Sequence, residues 1–102
     1  MMPRTKEFDL GANAFDLATK QYEQKLFGDA AHGFLAASEH FAKAGAEDNW
    51  RWSVQNAGYA FEQAGRAGEG RKSLEALALR DAPHAAELRA IAGKLSDTAA
   101  CP

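Results

Sequence analysis

The sequence predicts an all-α protein built from antiparallel helix pairs, and three observations predict it. Alanine is abundant and proline occurs only at positions 3, 83 and 102, which leaves the interior of the chain open to long helices. Gly28, Gly45 and Gly65 each follow a run of apolar residues at helical spacing, as a C-cap glycine does. One valine, one isoleucine and three threonines give a sheet too little of its usual β-branched material. A chain of 102 residues is one domain. Its ordered core is expected over about 9–95, with 96–102 a frayed tail.

Apolar periodicity places five helices. The first is expected from about Gly11 to Phe27, capped by Asp9 or Asn13, with Phe15, Ala18, Tyr22 and Leu26 along one face. The second starts at Asp29, an N-cap residue suited to the helix dipole. It runs to Ala44 with Ala31, Phe34, Leu35, Ser38, Phe41 and Ala42 inward. The polar loop Ala46-Glu47-Asp48-Asn49 leads into the third helix, about Asn49 to Ala64. That helix carries two apolar stripes. Trp50, Val54, Ala57, Phe61 and Ala64 form one; Trp52 and Tyr59, seven apart, form another on a different side. A helix at the edge of a small domain needs one apolar face, so the second stripe is either covered by a neighbour or offered to a partner. The fourth helix, about Gly68 to Arg80, turns Leu74 and Leu77 inward. Asp81 then caps a restart, with Pro83 in the first turn, and the fifth helix runs to about Leu95 on Leu88, Ile91 and Leu95.

Charge and composition exclude several functions. The net charge is −2; residues 1–50 carry five Lys/Arg against eight Asp/Glu, and 51–102 carry seven against six. No basic field awaits a phosphate backbone, so no nucleic-acid partner is expected. Arg66, Arg71, Lys72 and Arg80 interleave with Glu69, Glu75 and Asp81, the pattern of a solvated mixed face. No stretch approaches the roughly 18–20 apolar residues that cross a bilayer, so no membrane partner is expected. Met1 to Glu7 lacks the apolar run of a secretory signal, and the single Cys101 allows no intrachain disulfide. These features together point to the cytoplasm.

Nothing in the sequence predicts an enzyme. His32 and His40, eight apart, would stand about 12 Å and about 80° apart on one helix, too far to share a metal ion. His84 could join them only through tertiary packing. Cys101 has no nearby base. Glu47 with Asp48, and Glu69 with Glu75, are carboxylate pairs with no cleft to converge in. Gly65 to Ser73 has the glycine spacing of a phosphate loop, but Lys72-Ser73 comes one residue late and the preceding segment is a helix rather than a strand. No catalytic residue, metal ligand or cofactor is assigned.

Residues 56–83, from Asn56 through Gly58, Phe61, Gly65, Gly70, Leu74 and Leu77 to Pro83, resemble a tetratricopeptide repeat. Gly58 and Phe61 take the family's small and large aromatic positions of helix A, Gly65 the turn, Gly70 the small residue of helix B, and Leu74 and Leu77 its core positions. Pro83 lies one residue late for the closing proline. Gly28 to Gly33 mirrors the glycine spacing of Gly65 to Gly70, 37 residues away where the family has 34. A second echo, His40 to Gly45 against Ala60 to Gly65, resembles the adaptor-protein variant of the family, in which successive helices end alike. The resemblance implies a short right-handed stack of helix pairs with a concave groove used for protein–protein contact.

On that resemblance Trp52, Gln55, Tyr59 and Glu62 face the groove, and Phe15 and Tyr22 take the corresponding places in the first repeat. The plainer reading makes Phe15 and Tyr22 core. The family's carboxylate-clamp partners are excluded, because Asn56 alone stands near a clamp position and the third repeat is missing. The expected role is a protein-interaction module that binds a protein or peptide through this aromatic groove. The alternative is a homo-oligomerising structural subunit, a homodimer, motivated by the apolar ends that a two-repeat array leaves uncovered.

Overall fold

The computed structural model describes residues 6–96. The expected tail with Cys101 and the segment before Lys6 lie outside the described residues, apart from Ser96. The fold is all-α: α1 (Lys6–Glu23), α2 (Phe27–Ala44), α3 (Glu47–Gln63), α4 (Ala67–Arg80) and α5 (Ala85–Lys94), with a single 3₁₀ turn at Ala82–His84. No strand occurs among the described residues. The connections are too short for anything but antiparallel neighbours. α1, α3 and α5 form one layer and α2 and α4 the other, in a slab of 52 × 31 × 16 Å.

The first three junctions are copies of one another. Lys25, Gly45 and Gly65 adopt positive φ (65°, 72° and 72°), 20 residues apart. At each, the next residue's N–H reaches back to a carbonyl five residues earlier: Leu26 to Gln21 (2.8 Å), Ala46 to Phe41 (3.0 Å) and Arg66 to Phe61 (2.8 Å). This is the Schellman closure, which satisfies the last carbonyls of each helix. Burial follows the same spacing: Ala30, Trp50 and Gly70; Phe34, Val54 and Leu74; Ser38, Gly58 and Ala78; Phe41 and Phe61 are all buried. The structural unit of α2 to α4 is thus one helix and one turn.

Four expectations are corrected here. Gly28 is not a C-cap; it lies in the first turn of α2, and Lys25 takes the left-handed position. The 37-residue glycine spacing was therefore a misalignment, and 20 is the period. Asp29 and Asp81 make no capping hydrogen bond either: Leu26 precedes α2, and the Asp81 carboxylate turns to His84 instead. α1 also begins earlier than expected, at Lys6, because Phe8 packs edge-to-face on Phe41 at 5.4 Å and anchors an extra turn.

Small residues let the helices close up. Ala18, Ala30, Ala31, Ala37, Ala57, Ala60 and Ala67 are wholly buried. A Cβ on Gly11 would stand 2.9 Å from the Phe41 ring, and one on Gly33 would stand 2.9 Å from Ala18 Cβ. Into these close seams fit Phe34, Phe41, Trp50 and Phe61, the large residues of the core. Burying such side chains is the main source of stability, at roughly 1.5–3 kcal/mol each. Polar ties add specificity at the edges: Glu7 meets His40 at 2.8 Å and so joins α1 to α2. That hydrogen bond holds the Glu7 carboxyl below its ordinary range.

Candidate functional site

The third helix presents its second stripe outward. Trp52 and Tyr59 are 58% and 59% exposed, opposite the buried line of Trp50, Val54, Ala57 and Phe61. Gln55 lies exposed between them. α1 and α3 each pack on α2 and scarcely approach one another, so a furrow runs between them with α2 beneath. Phe15 and Tyr22 are half-buried on the other wall. Phe15 meets Phe34 edge-to-face at 5.1 Å, and Tyr22 meets Phe27 at 5.0 Å. They serve the packing and still line the furrow. Phe15 shares one recess with Trp52, and Tyr22 shares another with Tyr59.

On the far flank of α3, Gln55, Tyr59 and Glu62 line a third recess with Gly58, Ile91, Lys94 and Leu95 of the C-terminal segment. Glu62 is already engaged, its Oε2 accepting the Ser96 N–H at 3.0 Å. Arg51 and Glu87 join α3 to α5 by two parallel hydrogen bonds of 2.6 and 2.9 Å. The paired guanidinium holds the Glu87 carboxyl below its ordinary range, and the carboxylate holds Arg51 above its own. Of the six residues expected at the groove, Phe15, Trp52, Tyr22 and Tyr59 line the α1–α3 furrow, whereas Gln55 and Glu62 face the recess against the C-terminal segment. Sequence reasoning missed Asp16, Thr19, Glu23, Asn49 and Asn56, which line the same recesses. Their signal was present: each acidic or amide residue recurs after seven positions.

The opposite layer holds a larger cleft of about 550 Å³, between the C-terminal ends of α2 and α4 and the start of α3. α4 approaches α3 closely beside their turn, where Gly70 meets Phe61, and splays away beyond it. The 3₁₀ turn fills the gap from the open end. It lays the His84 ring on Trp50, with centroids 3.9 Å apart. His84 Nδ1 meets Asp81 Oδ2 at 2.7 Å and Nε2 meets Glu47 Oε2 at 2.9 Å. Burial alone would lower the pKa of this ring. The two carboxylates, by hydrogen bond and by charge, outweigh it, and the net shift is upward.

Both nitrogens of His84 are thus committed to carboxylates, which makes the ring a clip rather than a free proton carrier. Ser38, a residue lining this cleft, is buried and donates its hydroxyl to the Leu35 carbonyl at 2.6 Å. No group of three His, Cys, Asp or Glu among the described residues could hold a metal ion, and none of the described helices is long and apolar enough to cross a membrane. No family model, curated protein or solved structure matches the chain.

Proposed function

We propose that this chain is a small helical-repeat adaptor of tetratricopeptide-like kind, binding a protein partner through the α1–α3 face. The observation that carries the reading is the exposure of Trp52 and Tyr59 on the rims of recesses that Phe15 and Tyr22 complete. A helix gains nothing for its own fold from two large aromatics in water, and an aromatic-rimmed furrow is the usual form of a peptide-binding surface. The 20-residue period of the turns fits the adaptor variant, in which successive helices end alike. In this reading the protein is cytoplasmic, acts by contact and not by catalysis, and carries no cofactor.

A second reading has one observation in its favour. Leu10 and Leu17, seven apart, are exposed on the flank of α1 away from the furrow. A second copy packed there would cover the open end of the array and make a homodimer.

Photo-crosslinking residues at position 55, beside the two aromatics, and at position 17, on the Leu10/Leu17 flank, test the two readings in living cells. Adducts to a different protein that disappear in the Trp52→Ala/Tyr59→Ala variant support the adaptor. Adducts only to the same chain support a structural oligomer, and no adduct at all removes the adaptor reading.

A further inference from the structure

The two recesses of the α1–α3 furrow are the same recess twice. One is lined by Ala12, Phe15, Asp16, Phe41, Asn49 and Trp52. Adding seven to every α1 and α3 position gives Thr19, Tyr22, Glu23, Asn56 and Tyr59; subtracting seven on the antiparallel α2 turns Phe41 into Phe34. These six line the other recess. Each therefore has a phenylalanine floor, an aromatic on each wall, and one carboxylate and one carboxamide. Their volumes are about 200 and 240 Å³. Seven residues of helix advance about 10.5 Å, which is the distance between them.

Neither the Asp16 nor the Glu23 carboxylate makes an ion pair or hydrogen bond among the described residues, although Arg51, Arg80 and three histidines elsewhere are all paired with carboxylates. Lys20 sits between them in sequence but lines neither recess. It points about 40° further round α1 than Asp16. The lining of both recesses is thus aromatic and acidic, with no cation. Such a cup takes an aliphatic stem with a positive tip: the methylenes pack on the rings, the charge lies over an aromatic face, and the carboxylate completes it.

Resting on the adaptor reading above, we infer that the furrow's occupant is a partner helix carrying two basic residues, arginine or lysine, seven positions apart. Only a helix repeats its side chains at the walls' own spacing on a single face. In an extended strand, side chains on one face fall about 6.6 or about 13 Å apart. A polyproline helix repeats at about 9.3 Å, short of the second recess.

The probe is a stapled alanine-based helical peptide with two arginines seven positions apart, titrated into the full ¹⁵N-labelled chain. The Trp52 indole and the side-chain amides of Asn49 and Asn56 are expected to shift together along one binding curve. The same peptide with its arginines five apart, about 140° round the helix from each other, should bind at least about tenfold more weakly and move one recess only. Asp16→Asn or Glu23→Gln should each weaken binding roughly fivefold and lower its salt dependence, with the fold unchanged. A response to a proline-rich peptide in place of the helical one overturns the inference, as does self-titration of these resonances with protein concentration. Adducts to a partner at position 55 without any response to the arginine helix also overturn it, and leave the adaptor reading standing. Absence of both peptide response and adducts removes the two together.

Discussion

The indole of Trp50 and the imidazole of His84 lie stacked, 3.9 Å apart and 24° from parallel, though 34 residues separate them in the chain. The stack and the two carboxylates make His84 the pin of the α4–α5 junction. Its side chain is only 11% exposed. His84→Ala should cost about 1–2 kcal/mol, read from urea unfolding.

The same pin gives the protein a pH signature. The folded-state pKa of His84 lies above its ordinary value of 6.5. The stability it contributes is therefore fully present below that value and is lost as pH rises through the folded pKa. The unfolding midpoint should fall as pH is raised from about 6.5 upward, and His84→Gln should remove most of that slope. A slope unchanged in the variant would show that the proton sits elsewhere.

Gly70 and Gly68 should respond oppositely to alanine. At Gly70 a Cβ would stand 2.9 Å from Phe61 Cβ and from Leu95 Cδ1, so Gly70→Ala should destabilise by about 1–3 kcal/mol. At Gly68 the nearest atom is the far end of Arg71 at 3.7 Å, so Gly68→Ala should gain up to about 1 kcal/mol from helix propensity. Thermal unfolding of the two variants side by side decides it.

The repeated turns predict a stabilising substitution at an unremarkable residue. Lys25 holds the left-handed conformation that Gly45 and Gly65 hold without strain. Lys25→Gly should stabilise by about 0.5–1 kcal/mol, and Gly45→Ala should destabilise by about 1 kcal/mol although nothing lies within 4 Å of the new Cβ. Chemical denaturation measures both.

The two tryptophans of α3 separate structure from contact. Trp50 is 2% exposed and Trp52 is 58% exposed. Trp50→Ala should cost about 3–5 kcal/mol, while Trp52→Ala should change stability by less than about 0.5 kcal/mol. A large loss at Trp52 would place it in the core and remove the main residue of the proposed furrow.

Much of this was legible in the residues. The five helices follow from periodicity, and the glycine closures at 45 and 65 from the runs before them. The first junction was not, because the chain puts lysine where a glycine is expected and a glycine three residues later, inside a helix. Trp52 and Tyr59 announced an outward stripe. That Phe15 and Tyr22 would both pack and line the furrow depends on how far apart α2 holds α1 and α3, a distance that no local pattern encodes. The His84 clip was hidden for a similar reason: its partners come from residues 47, 50 and 81, and they meet only because Pro83 closes a tight turn beyond a splayed α4.

The 20-residue period sets how such a chain could grow. Each unit reverses the direction of the one before it and sits in the other layer. Duplicating residues 46–65 alone would therefore swap the layer of everything downstream and take α4 away from α2, losing the Glu39–Arg80 contact. Duplicating 26–65, two units at once, adds one helix to each layer, keeps the pin in place and lengthens the furrow by a further wall. The architecture extends in even steps only.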